Sequence, residues 1–152
     1  MEKILEYNLK INLDEKLPSL PILHDYKIDE IKIENGKLII LSNDVAYHDD
    51  DSFAYTGIHA KSVCVEFSLE YKDECDVNMT ILHRDSKKKW KKYRKYYGNE
   101  FIGIYKDFNL EIINPMVSFC QINFILFGKK KNKRFHIIME IRCDKVKYTF
   151  TD

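Results

Sequence analysis

The sequence is constrained most tightly at Asn35-Gly36, inside the stretch Tyr26 to Asn43 that reads YKIDEIKIENGKLIILSN. A two-residue type I′ turn needs positive φ at both central positions, which Asn-Gly supplies at little steric cost. Ile31 and Ile33 alternate with Lys32 and Glu34 before the turn, and Leu38 to Leu41 form an apolar run after it. With Asn35-Gly36 as the loop, Glu34 is predicted to face Lys37, Ile33 to face Leu38 and Ile31 to face Ile40. The alternation slips between Ile28 and Ile31, where Asp29 and Glu30 are both polar, and a β-bulge is the expected remedy.

Period-two alternation recurs along the chain. Tyr7, Leu9, Ile11 and Leu13 alternate with polar residues, after which Asp14 to Pro21 interrupts regular pairing. Val63, Val65, Phe67, Leu69 and Tyr71 form one face of a further strand, Lys72 to Asp76 reads as a turn, and Val77, Met79 and Ile81 resume the pattern, so the two segments are expected to form a second hairpin. Asn114-Pro115 ends a short apolar segment, and Met116 to Phe127, apolar on both faces, is a candidate central strand. Gly128 to Arg134 reads as a basic loop, and Phe135, Ile137, Met139 and Ile141, then Val146, Tyr148 and Phe150, carry alternation to the end. Short strands at regular spacing predict a mainly β single domain spanning 1–152, an antiparallel sandwich or open barrel. Ten tyrosines and nine phenylalanines suit half-buried pleated surfaces.

The segment Arg84 to Gly98 departs from this pattern. Trp90, Tyr93 and Tyr97 fall at i, i+3 and i+7, with Asp85 or Ser86 as a candidate N-cap and Gly98 where a C′ glycine belongs, which predicts one short basic helix near 86–97. A basic β-hairpin arm is the competing reading.

Net charge is near zero but unevenly spread. Residues 1–83 hold 8 basic and 17 acidic side chains, whereas residues 84–152 hold 17 basic and 7 acidic. Either the halves interleave and neutralise each other, or the molecule has an acidic and a basic face that steers charged partners. No apolar run approaches the roughly 20 residues of a membrane helix. The opening MEKILEYNLK has no apolar leader core, and the four cysteines form no Cys-x-x-Cys pair, so reduced thiols at core or half-buried positions and a cytoplasmic location are expected.

The chemistry-bearing candidates are few. Lys88, Lys89, Trp90, Lys92, Tyr93, Arg94 and Tyr96, with Lys130 and Arg134, interleave cations and rings. Such a surface suits an acidic protein or, through phosphate contacts and base stacking, a nucleic acid; a solvated helix face is the plainer reading. His48 with Asp49, Asp50 and Asp51 lacks the glycine-bearing calcium loop and reads as a polar loop. His24-Asp25 offers an imidazole beside a carboxylate, but no Gly-x-Ser-x-Gly motif supplies a nucleophile, and a hydrolase near His24 and His48 is the least favoured function. No phosphate loop, dinucleotide fingerprint or zinc spacing is present, so no cofactor, metal or catalytic residue is expected.

The entry Leu23-His24-Asp25-Tyr26-Lys27-Ile28, running into the Asn35-Gly36 hairpin, resembles the start of small β-rich proteins of low-GC Gram-positive bacteria. The ending resembles them too: Leu110-Glu111-Ile112-Ile113, an aromatic strand to Gly128, then Ile137 to Tyr148 with Cys143-Asp144-Lys145-Val146. The lysine-rich segment 84–95 lies outside that pattern. Some of these proteins resemble immunity proteins of polymorphic toxin systems. The resemblance implies a non-enzymatic binding protein whose partner is a toxin domain, and carries over no site residue. A small nucleic-acid-binding module is the alternative.

Overall fold

The computed structural model describes residues 2–12, 14–24, 27–48, 58–84, 90–131 and 133–152. Ten strands follow in chain order: β1 (Glu2–Asn8), β2 (Ile22–His24), β3 (Glu30–Glu34), β4 (Lys37–His48), β5 (Ile58–Leu69), β6 (Val77–Arg84), β7 (Trp90–Tyr97), β8 (Asn109–Ser118), β9 (Gln121–Lys130) and β10 (Lys133–Thr151). Among the described residues one short α-helix, α1 (Gly98–Ile104), lies between β7 and β8. All strand pairs are antiparallel, and the fold is mainly β, a curled sheet shaped like half a barrel.

The expected hairpin forms in the expected register. Glu34 pairs with Lys37, Ile33 with Leu38 and Ile31 with Ile40. Asn35 and Gly36 have φ of 52° and 72°, the left-handed conformation a type I′ turn demands. Before Ile31, Asp29 and Glu30 both face Leu41, two residues opposite one, as the expected bulge requires. Beyond it the chain changes partner: Asp29 N–H still donates to the Leu41 carbonyl, but Ile28 N–H donates to Leu110 and Lys27 bridges Glu111. That step from β4 to β8 joins the two ends of the curled sheet.

β10 organises everything else. Its 19 residues pair along one edge first with β6 and then with β5, and along the other first with β9 and then with β1. The predicted β5–β6 hairpin is therefore corrected: the two strands lie end to end against β10. The link between them is a 3-10 turn at Glu74–Asp76 rather than a tight reversal. Asp73 accepts from Cys75 N–H, and the buried Asp76 carboxylate accepts from the Asp73 and Tyr71 amides. Tyr71, expected to continue the buried face of β5, is exposed.

Other boundaries moved as well. The first strand runs over 2–8, so Leu9 is buried beyond its end. β8 continues through Pro115, which sits at an irregularity opposite β9 where a missing N–H is tolerated. The expected central strand 116–127 is split by a tight turn at Phe119-Cys120, and β9, the interior strand, runs from Gln121.

The predicted helix at 86–97 is also corrected. Residues 90–97 form β7 against β6, as in the competing hairpin reading, and Lys88 and Lys89 lie outside the described residues. Pairing through Met79↔Tyr96 and Ile81↔Arg94 outweighs the helical spacing of the rings, and the skip between Ile81 and Leu82 leaves Tyr93 as the extra residue of a bulge. The helix forms one segment later, where Phe101 and Tyr105 turn into the core. Gly98 opens it because no side chain has room there: a Cβ would stand 2.7 Å from the Glu74 carbonyl oxygen.

One apolar core takes side chains from both stretches of β10 and the strands around them. Phe67 on β5 meets Phe124 on β9 edge to face, with centroids 5.7 Å apart. Tyr148 stacks on Phe150 and meets Tyr7 edge-on. Burial, and secondarily the nearness of Tyr7 and Cys143, pushes ionisation of Tyr148 well above the ordinary range. Unfolded tyrosine titrates near pH 10 (about). The folded chain therefore holds a proton that the unfolded chain releases, so this contribution to stability is intact below about pH 10 and declines above it. Tyr148→Phe is expected to flatten the fall of the urea midpoint above about pH 10. An unchanged alkaline slope in the variant contradicts the burial of this hydroxyl.

Candidate functional site

The far end of β9 and the start of β10 form a hairpin whose tip holds Lys129, Lys130, Lys131, Lys133 and Arg134. Register places Lys130 opposite Lys133 and Lys129 opposite Arg134. Like charges directly opposed on neighbouring strands are destabilising. Among the described residues, Asp107 lies 4.0 Å from the Lys130 ammonium, with both side chains well exposed. An exposed pair of that length contributes little.

Two adjoining hollows open beside this tip. The first, about 560 Å³, is lined by Lys27, Lys129 and Arg134 together with Glu111, Phe127 and His136. The second, about 580 Å³, shares Asn109 and Lys129 with it and adds Lys106, Lys130 and Lys131, with Asp29 and Asp107. Cations thus outnumber carboxylates around both. The detour of the chain from β4 to β8 is what brings Lys27 to the rim.

Phe127 and His136 are directly opposed, their ring centroids 4.6 Å apart. Phe127 is 43% exposed, an unusual position for a phenylalanine on an interior strand. Lys130 lies over the Phe108 ring at 5.4 Å and Lys106 over Tyr105 at 5.9 Å, which holds the lysine stems against the rim of the second hollow.

The residues expected from sequence divide between two places. Arg134 and Lys130 line the hollows. Trp90, Lys92, Tyr93, Arg94 and Tyr96 lie on β7, which pairs with β6 and with no other described strand. The Arg94 guanidinium covers the Tyr96 ring at 4.5 Å, and Lys95 covers Tyr97 at 5.4 Å. Lysines on an edge strand discourage pairing with a second molecule, which gives this basic run a structural reason of its own. The two basic segments still share one sheet. His83 pairs with Lys91 on one side and Phe135 on the other, which puts the backbones of Lys91 and Phe135 two strands, about 10 Å, apart. The strands of this sheet carry Arg84, Lys91, Lys92, Arg94, Lys95, Lys129, Lys130, Lys133, Arg134 and Arg142 against Glu111 and Glu140. The basic excess of the second half of the sequence thus stays together in this part of the sheet.

Sequence reasoning missed Lys27, Lys106, Phe127 and His136. An exposed phenylalanine paired with histidine on an otherwise alternating strand was the available signal for the last two. His24 and His48 lie on β2 and β4, where His24 pairs with Ala46 and His48 with Ile22. Asp25 and Asp49 to Asp51 lie outside the described residues. The four cysteines are free: Cys120 and Cys143 are buried, Cys64 is half-buried, and Cys75, against expectation, is exposed. Burial first, and then Asp144, pushes the Cys143 thiol up to about 12, which leaves it protonated and unreactive at neutral pH. No helix among the described residues is long and apolar enough to cross a membrane. No family model matches the chain, and neither does any curated protein or solved structure.

Proposed function

We propose that this chain is a non-enzymatic cytoplasmic binding protein that receives an acidic segment of a protein partner in the cleft between Lys27 and the β9–β10 tip. Its specific form would be an immunity protein that occludes a bacterial toxin domain. The observation that carries this reading is the two pairs of opposed like charges, Lys130 with Lys133 and Lys129 with Arg134. Their repulsion costs stability, and a carboxylate-bearing partner relieves it while gaining charge-assisted hydrogen bonds. Phe127 offers the same partner an apolar contact beside the cations. Complementary charge also speeds encounter, which suits an inhibitor that must reach its target before damage is done.

The Phe127–His136 ring pair, with Phe127 exposed and His136 half-buried, supports a second reading, a single-stranded nucleic acid stacked on that platform. Two features favour protein. Among the residues lining the two hollows Phe127 is the one exposed aromatic ring, whereas a strand of nucleic acid uses successive ring platforms, and the carboxylates of Glu111, Asp29 and Asp107 repel phosphate. Fluorescence anisotropy with labelled polyglutamate and oligothymidylate of equal charge separates the two. The protein reading expects polyglutamate to bind at low salt and to compete with the oligonucleotide, with affinity falling as salt rises. Tight oligothymidylate binding that polyglutamate cannot displace contradicts it.

A further inference from the structure

At the seam where β10 leaves one pair of neighbours and takes up the next, three chain segments converge. Glu70 follows the last residue of β5, and its N–H donates to the Arg142 carbonyl from one edge. Cys120 closes the β8–β9 turn on the opposite edge, where its carbonyl accepts from Cys143 N–H and its own N–H donates to Leu9. Asp144 is the extra residue of the β10 bulge, between Cys143 paired with Leu69 and Lys145 paired with Ser68. A bulge re-aims the side chain it carries. The result is that one carboxylate oxygen of Glu70, one of Asp144 and the Cys120 sulfur all lie within 4.8 Å of one another.

We propose that Glu70, Cys120 and Asp144 form a binding site for a borderline divalent cation of the zinc class, with a fourth position open to water. The donor set selects the metal: a thiolate disfavours magnesium and calcium, and one sulfur with two carboxylate oxygens suits zinc or cobalt. A second observation points to the same ligand. Oδ1 of Asp144 is shut off from solvent and has no hydrogen-bond partner, although it belongs to a charged group beside a second carboxylate. A buried acceptor of that kind calls for a cation or a donor. Cys120 is only 6% exposed, so its sulfur is covered by the same surroundings. A bound ion would tie the end of β5, the β8–β9 turn and β10 together where the sheet changes partners.

The test is titration of the full chain with Co²⁺ and Zn²⁺, read by absorption and thermal unfolding. Wild-type protein is expected to bind one Co²⁺ with a thiolate-to-metal charge-transfer band in the near ultraviolet. Zn²⁺ is expected to displace it and to raise the Tm with concentration. Cys120→Ser should abolish the band, Asp144→Asn should weaken Zn²⁺ binding at least about tenfold, and Cys75→Ser should leave both unchanged. If Cys120→Ser does not fold, Asp144→Asn and Glu70→Gln carry the test through affinity alone. No band in the wild type, a band that follows Cys75 rather than Cys120, or Zn²⁺ affinity unchanged in both carboxylate variants overturns the proposal.

Discussion

Phe124→Ala is expected to lower the free energy of unfolding by about 3–5 kcal/mol, a large share of what a single domain has. Phe124 is buried on β9 and its ring meets that of Phe67 on β5. These strands flank opposite edges of β10 and do not pair with each other, so the contact crosses the interior of the curl. Truncation there leaves a cavity between hydrogen-bonded strands that cannot collapse without breaking ladders. Phe67→Ala should cost a similar amount. The double variant should lose less than the sum, by about 0.5–1.5 kcal/mol for an edge-to-face pair. Urea denaturation of the four proteins gives the cycle. Strict additivity would mean that the two rings do not share one core.

Lys129→Glu with Arg134→Glu is expected to weaken binding of an acidic partner about a hundredfold at low salt, or about 2.7 kcal/mol. Each reversal removes an attraction and adds a repulsion, and a single contact between unit charges at 4 Å is worth about 1 kcal/mol in water. Stability should move the other way. The change turns the Lys129–Arg134 pair into two glutamates, still alike, but relieves their repulsion from Lys130, Lys131 and Lys133. The variant should therefore fold at least as well as wild type while binding polyglutamate poorly, which separates lost function from lost structure. Reversal of Arg94 and Lys95 on β7 should weaken binding far less, since those residues lie apart from Lys27 and Phe127.

Local pattern carried the fold where it involved neighbours in the chain. The Asn35-Gly36 hairpin is legible residue by residue because the turn chemistry and the apolar register agree. It failed where a distant strand decided. Nothing near Lys72 to Asp76 announces that β5 and β6 share one long partner instead of each other; that depends on β10, more than fifty residues on. The rings of Trp90, Tyr93 and Tyr97 have helical spacing, yet the ladder against β6 outweighs it, and the helix forms where Phe101 and Tyr105 can be buried. The cleft was half legible. The lysines of the β9–β10 tip are contiguous, but Lys27 reaches them only because the chain leaves β4 for β8. Glu70, Cys120 and Asp144 were invisible for the same reason: three segments with no motif spacing meet through a bulge.

The claim that the cleft, rather than the lysine-dense edge strand, engages the partner is tested most directly by two-dimensional NMR of the labelled chain during titration with polyglutamate. The account predicts that the largest shifts fall on Lys27, Phe127, Lys129, Arg134 and His136, with small changes on Arg94 to Tyr97. Shifts concentrated on β7 with Phe127 and His136 undisturbed would contradict it.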